Sequence, residues 1–191
     1  MADSYQGEIV NSLRQAGYRT RSPLTIPPEK MRQYYERGTE PKKSEADLFV
    51  IKGRWGGFIE IKTAKDEVLS YGSGFQKGQW DWAIKHQLDG FHVFYAIMFT
   101  GLTFPNKHPK KLIRRDLLLL PFSLLVQHRE KVRDLGGPDE LRYNNRPGIS
   151  RVFQDHLLTA TDLFPGFFLN WENGRWMFPS RLDLLGDTYH G

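Results

Sequence analysis

The sequence predicts an α/β domain in which a mixed central β-sheet is flanked by helices. Three observations predict it. Residues 48–51 and 58–63 are short segments rich in β-branched and aromatic side chains, and they flank Gly53-Arg54-Trp55-Gly56, a hairpin turn. Residues 91–99 form an almost continuous apolar run, which reads as a central strand covered on both faces. Helical periodicity alternates with these strands along the chain.

Each element has its own local reason. Ile9, Val10, Leu13 and Ala16 recur at helical spacing behind Asp3 or Ser4 as cap, and Gly17 supplies the left-handed residue that ends the helix. Residues 21–44 are Pro-rich, charged and poorly periodic; Met31 to Arg37 is the one short helix expected there. A Gly-containing loop over 71–78 leads to a helix over about 79–88, with Trp80, Ala83, Ile84, Gln87 and Leu88 on one side. Residues 117–120 read as a strand, 123–133 as a helix opened by Ser123, and 138–150 as loop. In the tail, residues 167–171 and 175–178 surround Asn173-Gly174, a type I′ hairpin signal. We expect a single domain over 1–191, with a core at about 1–133 and a C-terminal extension at about 134–191.

Composition narrows the function. A 191-residue chain buries roughly 70% of its unfolded surface, enough to fold without staples. The absence of cysteine excludes disulfides, thiolate metal sites and a cysteine nucleophile. The longest apolar run, 117–126, contains Pro121 and Ser123 and is too short to span a bilayer. The N-terminus lacks the basic and apolar regions of a signal peptide, so the expectation is a cytoplasmic protein with no membrane partner. The net charge is +5, and the excess is concentrated. Residues 14–43 carry eight basic and three acidic side chains, and residues 107–115 carry five basic ones and no acid. Two basic segments on a mildly acidic body point to a polyanion such as nucleic acid, since clustered cations release counterions from phosphates; solvated loops are the alternative.

The hairpin carries the chemistry. Strand side chains alternate between faces. If Arg54-Trp55 forms the two-residue loop, Asp47 lies opposite Lys62 and Phe49 opposite Glu60, so Asp47, Glu60 and Lys62 share one face. A shift of two keeps that face, whereas a slip of one flips every side chain. Two carboxylates and an ammonium in a sheet apolar on both sides are costly unless paired or bound to an ion. A hard divalent cation resolves this: Mg²⁺ typically takes one or two carboxylates, keeps water, and completes its shell with phosphate oxygens. A surface hairpin with a Lys–Asp cross-strand pair is the competing explanation. The six histidines lack ligand spacing and read as structural or exposed. Tyr71-Gly72-Ser73-Gly74 reads as a flexible loop rather than a phosphate cradle, and no dinucleotide motif is present, so no organic cofactor is expected.

Asp47 followed by Glu60-Ile61-Lys62 resembles the core of the PD-(D/E)xK nuclease superfamily, with Ala46 where that pattern often has proline. Within it, Lys52-Gly53-Arg54 at the turn, and Phe75 with Gln79 opening the next helix, resemble the RecU-like Holliday junction resolvases. The similarity covers about residues 44–99. It implies a restriction-endonuclease-like core, Asp47 and Glu60 as metal ligands, Lys62 as catalytic lysine, and Gln79 touching the site or the scissile phosphate. It also implies an acid from the first helix; Glu8 is the only one inside it, and a solvated helix face is its other explanation. Glu45 is a further backup. The resemblance implies an Mg²⁺-dependent endonuclease, with Mn²⁺ also supporting activity. Its implied substrate is branched or four-way junction DNA in recombination or repair, and its implied assembly a homodimer. The alternatives are a restriction-type or end-processing nuclease of the same fold, a catalytically inactive DNA-binding module, and a structural protein whose hairpin charges merely pair.

Overall fold

A computed structural model of the protein describes residues 2–21, 46–65, 67–75, 78–102, 114–144 and 149–185. The expected helix at Met31 to Arg37, and most of both basic segments, lie outside the described residues.

Helix α1 (Ala2–Gln15) is followed by strand β1 (Arg19–Arg21), then by the hairpin β2 (Leu48–Lys52) and β3 (Trp55–Lys65). A short β4 (Val68–Ser70) and helix α2 (Gln79–Leu88) lead into β5 (His92–Leu102). Strand β6 (Arg114–Pro121) runs directly into helix α3 (Phe122–Asp134). The C-terminal part holds β7 (Glu140–Arg142), α4 (Arg151–Asp155), α5 (Ala160–Leu163), β8 (Phe168–Leu169), β9 (Trp171–Glu172) and β10 (Arg175–Trp176). Among the described residues no helix is long and apolar enough to cross a membrane.

The sheet is mixed, as the sequence predicts. Its order is β1-β2-β3-β5-β6-β8, with β4 joining β3 to β7. The β3–β5 pair is parallel, which requires the crossover through α2; the other pairs are antiparallel. Strand β5 lies in the middle, and Val93 through Phe99 are all buried, which explains the unbroken apolar run.

Two apolar layers sandwich this sheet. On one face α1 lays Ile9 and Leu13, both fully buried, against Leu48, Val50, Ile59, Phe94, Ala96, Leu117 and Leu119. Burying each such side chain stabilises the fold by roughly 1.5–3 kcal/mol. On the other face α2 and α3 pack Trp82, Ala83, Phe122 and Leu125 against Tyr95, Ile97, Leu118 and Leu120. The segment expected to be an extension joins both layers: Leu141, Ala160 and Phe164 enter the second, and Trp176, Phe178 and Leu182 the first. Ser12 Oγ accepts the Trp176 N–H at 3.1 Å, tying α1 to β10.

Several expectations are corrected. α1 begins before Asp3 and Ser4, so neither caps it, while Gly17 does end it at φ +87°. Residues 19–21, the last of which opens the stretch read as poorly periodic, form a strand by pairing with 49–51. Leu88 is 66% exposed, because α2 turns its Gln79, Trp82, Ala83 and Gln87 side inward instead. Ser123 lies inside the first turn of α3, which follows Pro121 without a loop. The 138–150 stretch contains β7, which pairs with β4. In the tail only Trp171–Glu172 and Arg175–Trp176 pair, around Asn173 and Gly174 at φ +50° and +76°, while Phe168–Leu169 adds to β6.

Candidate active site

The hairpin turn is Gly53-Arg54, one residue earlier than expected. Lys52 pairs with Trp55, Phe49 with Phe58 and Leu48 with Ile59. The expected pairs, Phe49 with Glu60 and Asp47 with Lys62, are therefore offset by two. An offset of two preserves the face. Phe58, Glu60 and Lys62 alternate along β3 on the side covered by α2, and Asp47 sits where β2 begins. Its Oδ2 accepts the Ile61 N–H at 2.7 Å, continuing the ladder with a side chain in place of a carbonyl.

Glu60 and Lys62 meet Gln79 there. Gly78, at φ +91°, turns the chain so that α2 starts with Gln79 against the sheet; a residue with a Cβ would be strained at that angle. Gln79 Nε2 donates to Glu60 Oε1 at 2.7 Å, and Lys62 Nζ donates to Gln79 Oε1 at 2.7 Å. Lys62 Nζ also lies 3.0 Å from Glu60 Oε1. The orientation of the amide follows from charge: its oxygen must face the ammonium and its NH₂ the carboxylate. The Lys62 ammonium rests 5.5 Å from the centre of the Phe75 ring.

The electrostatics are asymmetric. Glu60 is 4% exposed, and its pKa is pushed up to about 7 by burial and then by the negative charge of Asp47, with Lys62 and Gln79 opposing both. Burial first, and the Asp47 charge second, thus favour the protonated form of Glu60 up to about neutral pH. Beside Glu60 in the parallel ladder lies Tyr95, whose hydroxyl is pushed well above its ordinary pKa by burial, then by Glu60 and Asp47. Sequence reasoning did not single out Tyr95. Its signal was there: it is the one hydroxyl in the apolar run 91–99.

Structural support reaches the site through the 71–75 turn, which is anchored rather than loose. Buried Tyr71 donates its O–H to His128 Nδ1 at 2.6 Å, and His128 Nε2 donates to the Leu158 carbonyl at 2.8 Å. Burial holds the His128 pKa down, consistent with a neutral ring that donates at one nitrogen and accepts at the other. Tyr71 stacks on Phe75 with ring centres 5.8 Å apart, and Phe75 in turn packs on Tyr95. The Gly74 N–H closes the turn onto the Ser70 carbonyl at 2.8 Å, where a Cβ would lie only 2.4 Å from that oxygen.

Four of the five residues singled out in the sequence, Asp47, Glu60, Lys62 and Gln79, are therefore brought together. Glu8 is not. Its Oε1 accepts from Arg115 Nη1 at 2.8 Å, and Arg115 alternates with Leu117 and Leu119 on the α1 side of the sheet, opposite Glu60. Glu45 lies outside the described residues.

Fold and site together define a mixed α/β protein with a buried carboxylate–lysine–glutamine cluster on its central sheet. No protein-family model and no curated protein matches the sequence. Among solved structures, Hjc from Archaeoglobus fulgidus, a Holliday junction resolvase from an archaeal hyperthermophile, is similar at 12% identity. The alignment covers 73% of this chain and 87% of that one, with a TM-score of 0.44.

Proposed function

We propose that this protein is a metal-dependent DNA endonuclease, and that branched DNA such as a four-way junction is its substrate. The observation that carries the reading is the geometry at Glu60: a carboxyl buried near a second carboxylate, Asp47, and hydrogen-bonded on one oxygen by Lys62 and Gln79. Such a pair of hard oxygen donors suits Mg²⁺ or Mn²⁺, which need only one or two carboxylates and draw the rest of their shell from water and phosphate. Asp47 and Glu60 would hold the ion. When bound, it supplies charge neutralisation at a phosphoryl oxygen and makes a coordinated water more acidic.

The chain's own groups account for the remainder. Lys62 places a fixed positive charge beside the carboxylates, where it offsets negative charge building on the phosphoryl group. Gln79 fixes both Lys62 and Glu60 by accepting from the first and donating to the second. Hydrolysis forms a bond from water oxygen to phosphorus and breaks the bond to the 3′ oxygen, leaving a 5′ phosphate and a 3′ hydroxyl. The preference for junctions, and a homodimer cutting two strands, rest on the resemblance of the Lys52-Gly53-Arg54 turn and the Phe75 and Gln79 positions to RecU-like resolvases. Recognition would follow backbone shape more than base sequence.

The test incubates the protein with plasmid, linear duplex and a four-way junction, with Mg²⁺ or with EDTA. Symmetric, Mg²⁺-dependent cutting of the junction is the expected result, and Glu60→Gln should abolish cutting while leaving binding. Recurrent cuts on linear duplex would replace junction resolution with restriction-type activity. Undiminished cutting by Glu60→Gln would end the site assignment.

A further inference from the structure

Two acids are few for a cation site. Among the described residues no third acid or histidine joins Asp47 and Glu60 in a larger ligand group, and Glu8 lies on the other face of the sheet. The oxygens that the two acids leave open can be named. Asp47 commits Oδ2 to the Ile61 N–H, and Glu60 receives both Gln79 and Lys62 on Oε1. No described residue hydrogen-bonds to Asp47 Oδ1 or to Glu60 Oε2. Polar atoms at a buried site are satisfied by a ligand or a water when protein does not satisfy them.

Beside them stands a buried polar side chain that the chemistry above does not use. Tyr95 is the partner of Glu60 in the parallel β3–β5 ladder, so the two side chains rise from one face on strands about 4.8 Å apart. Packing fixes its ring: Phe75 lies 5.2 Å away and Phe122 5.6 Å away, centre to centre. The same Phe75 ring supports Lys62 Nζ at 5.5 Å. Tyr95 is only 1% exposed, yet its hydroxyl hydrogen-bonds to no described residue. Glu60 and Asp47 are the charges that act on that hydroxyl and, with burial, they keep it protonated. A phenol that keeps its proton is a donor, and in this position it is a donor without an acceptor. Three oxygens that protein leaves open, Asp47 Oδ1, Glu60 Oε2 and Tyr95 Oη, thus belong to one face across the neighbouring strands β2, β3 and β5.

We propose that Tyr95 is a positioning residue of the cation site, its O–H donating to a water held with a divalent ion between Glu60 and Asp47. The inference rests on the metal-dependent reading above. A hydrated ion fits the depth: at 1% exposure the hydroxyl lies too deep for a DNA phosphate to reach, whereas a water does reach it. Mg²⁺ and Mn²⁺ sites with only two carboxylates retain several waters, and groups that orient those waters fix the ion in place. Tyr95 then does from the central strand what a third acid would otherwise do.

The experiment needs no DNA. Mn²⁺ is titrated into the full chain at about pH 8, and free Mn²⁺ is read from its aqueous electron paramagnetic resonance signal. Tyr95→Phe keeps the ring and removes only the hydroxyl, and it should raise the Mn²⁺ Kd about tenfold, as loss of a group supporting a metal site does. Tyr5→Phe, which removes a hydroxyl on the α1 face, should leave Kd unchanged. Urea unfolding in EDTA separates positioning from architecture. Because no described residue bonds the Tyr95 hydroxyl, Tyr95→Phe should unfold at an unchanged or higher urea midpoint. A lower midpoint shows that the hydroxyl is held by the protein and overturns the inference, and so does an unchanged Mn²⁺ Kd. Either result leaves the metal reading intact where the wild type binds Mn²⁺ and Glu60→Gln does not. A wild type that binds no Mn²⁺ ends the metal reading and this inference together.

Discussion

Replacing Glu60 with glutamine tests the site without requiring a substrate. The Glu60 pKa rises from 4.5 to about 7 on folding. Between those values the folded chain keeps a proton that the unfolded chain has released, so this group's contribution is present below pH 4.5 and is lost as pH rises through 7. At about 1.4 kcal/mol per pKa unit, the loss amounts to about 3 kcal/mol. A glutamine side chain at this position would keep an oxygen to accept from Lys62 and Gln79 but has no proton to release. Urea unfolding in EDTA, from pH 4 to pH 8, should therefore show the stability of Glu60→Gln minus that of the wild type growing by about 3 kcal/mol across the range. Other titrations cancel in this difference. His128, with its pKa held down by burial, makes both proteins less stable as pH falls below 6.5. Asp139, pushed down to about 2 by its hydrogen bonds with Arg129 and Arg133, acts only below this window. A difference that stays flat from pH 4 to 8 refutes the raised Glu60 pKa and, with it, the burial of this carboxyl near Asp47.

Two further outcomes follow from neighbouring contacts. Gln79→Ala removes the partner shared by Lys62 and Glu60 without removing either, so kcat for DNA cutting should fall about 10–100-fold with KM unchanged; single-turnover cleavage showing an unaltered rate would remove Gln79 from the site. Gly57→Ala and Gly7→Ala should act in opposite directions in urea unfolding. A Cβ on Gly57 would meet the His92 carbonyl at 2.9 Å between paired strands, costing about 1–3 kcal/mol, whereas Gly7 has open space within α1 and alanine there should add up to about 1 kcal/mol.

Much of the site was legible because strand periodicity is rigid. Alternation along residues 47–51 and 58–62 fixes which side chains share a face, and an offset of two does not disturb it. Hence Asp47, Glu60 and Lys62 were grouped correctly although the turn was placed one residue late. The register itself was not legible, since it depends on which two residues take the turn, and Gly53 at φ +61° decided that in favour of Gly53-Arg54. Gln79 was legible as the first residue of a helix following glycine. Glu8 entered through the resemblance, as the one acid inside the first helix, and the apolar stripe beside it shows only that the helix packs, not on which side of the sheet.

By itself, the sequence determined the hairpin, the buried central strand, the helix that opens with Gln79, and the parity that groups two acids with a lysine. These follow from periods of 2 and 3.6 residues and from glycine's backbone freedom, all local properties of the chain. Only the tertiary structure decided that α1 and α2 lie on opposite faces, that Glu8 meets Arg115, that Tyr71 and His128 brace the turn beneath Lys62, and that Arg181 comes to the hairpin tip. Those outcomes depend on which apolar surfaces find each other across long stretches of chain, and burial is non-directional, so no local pattern encodes the partner.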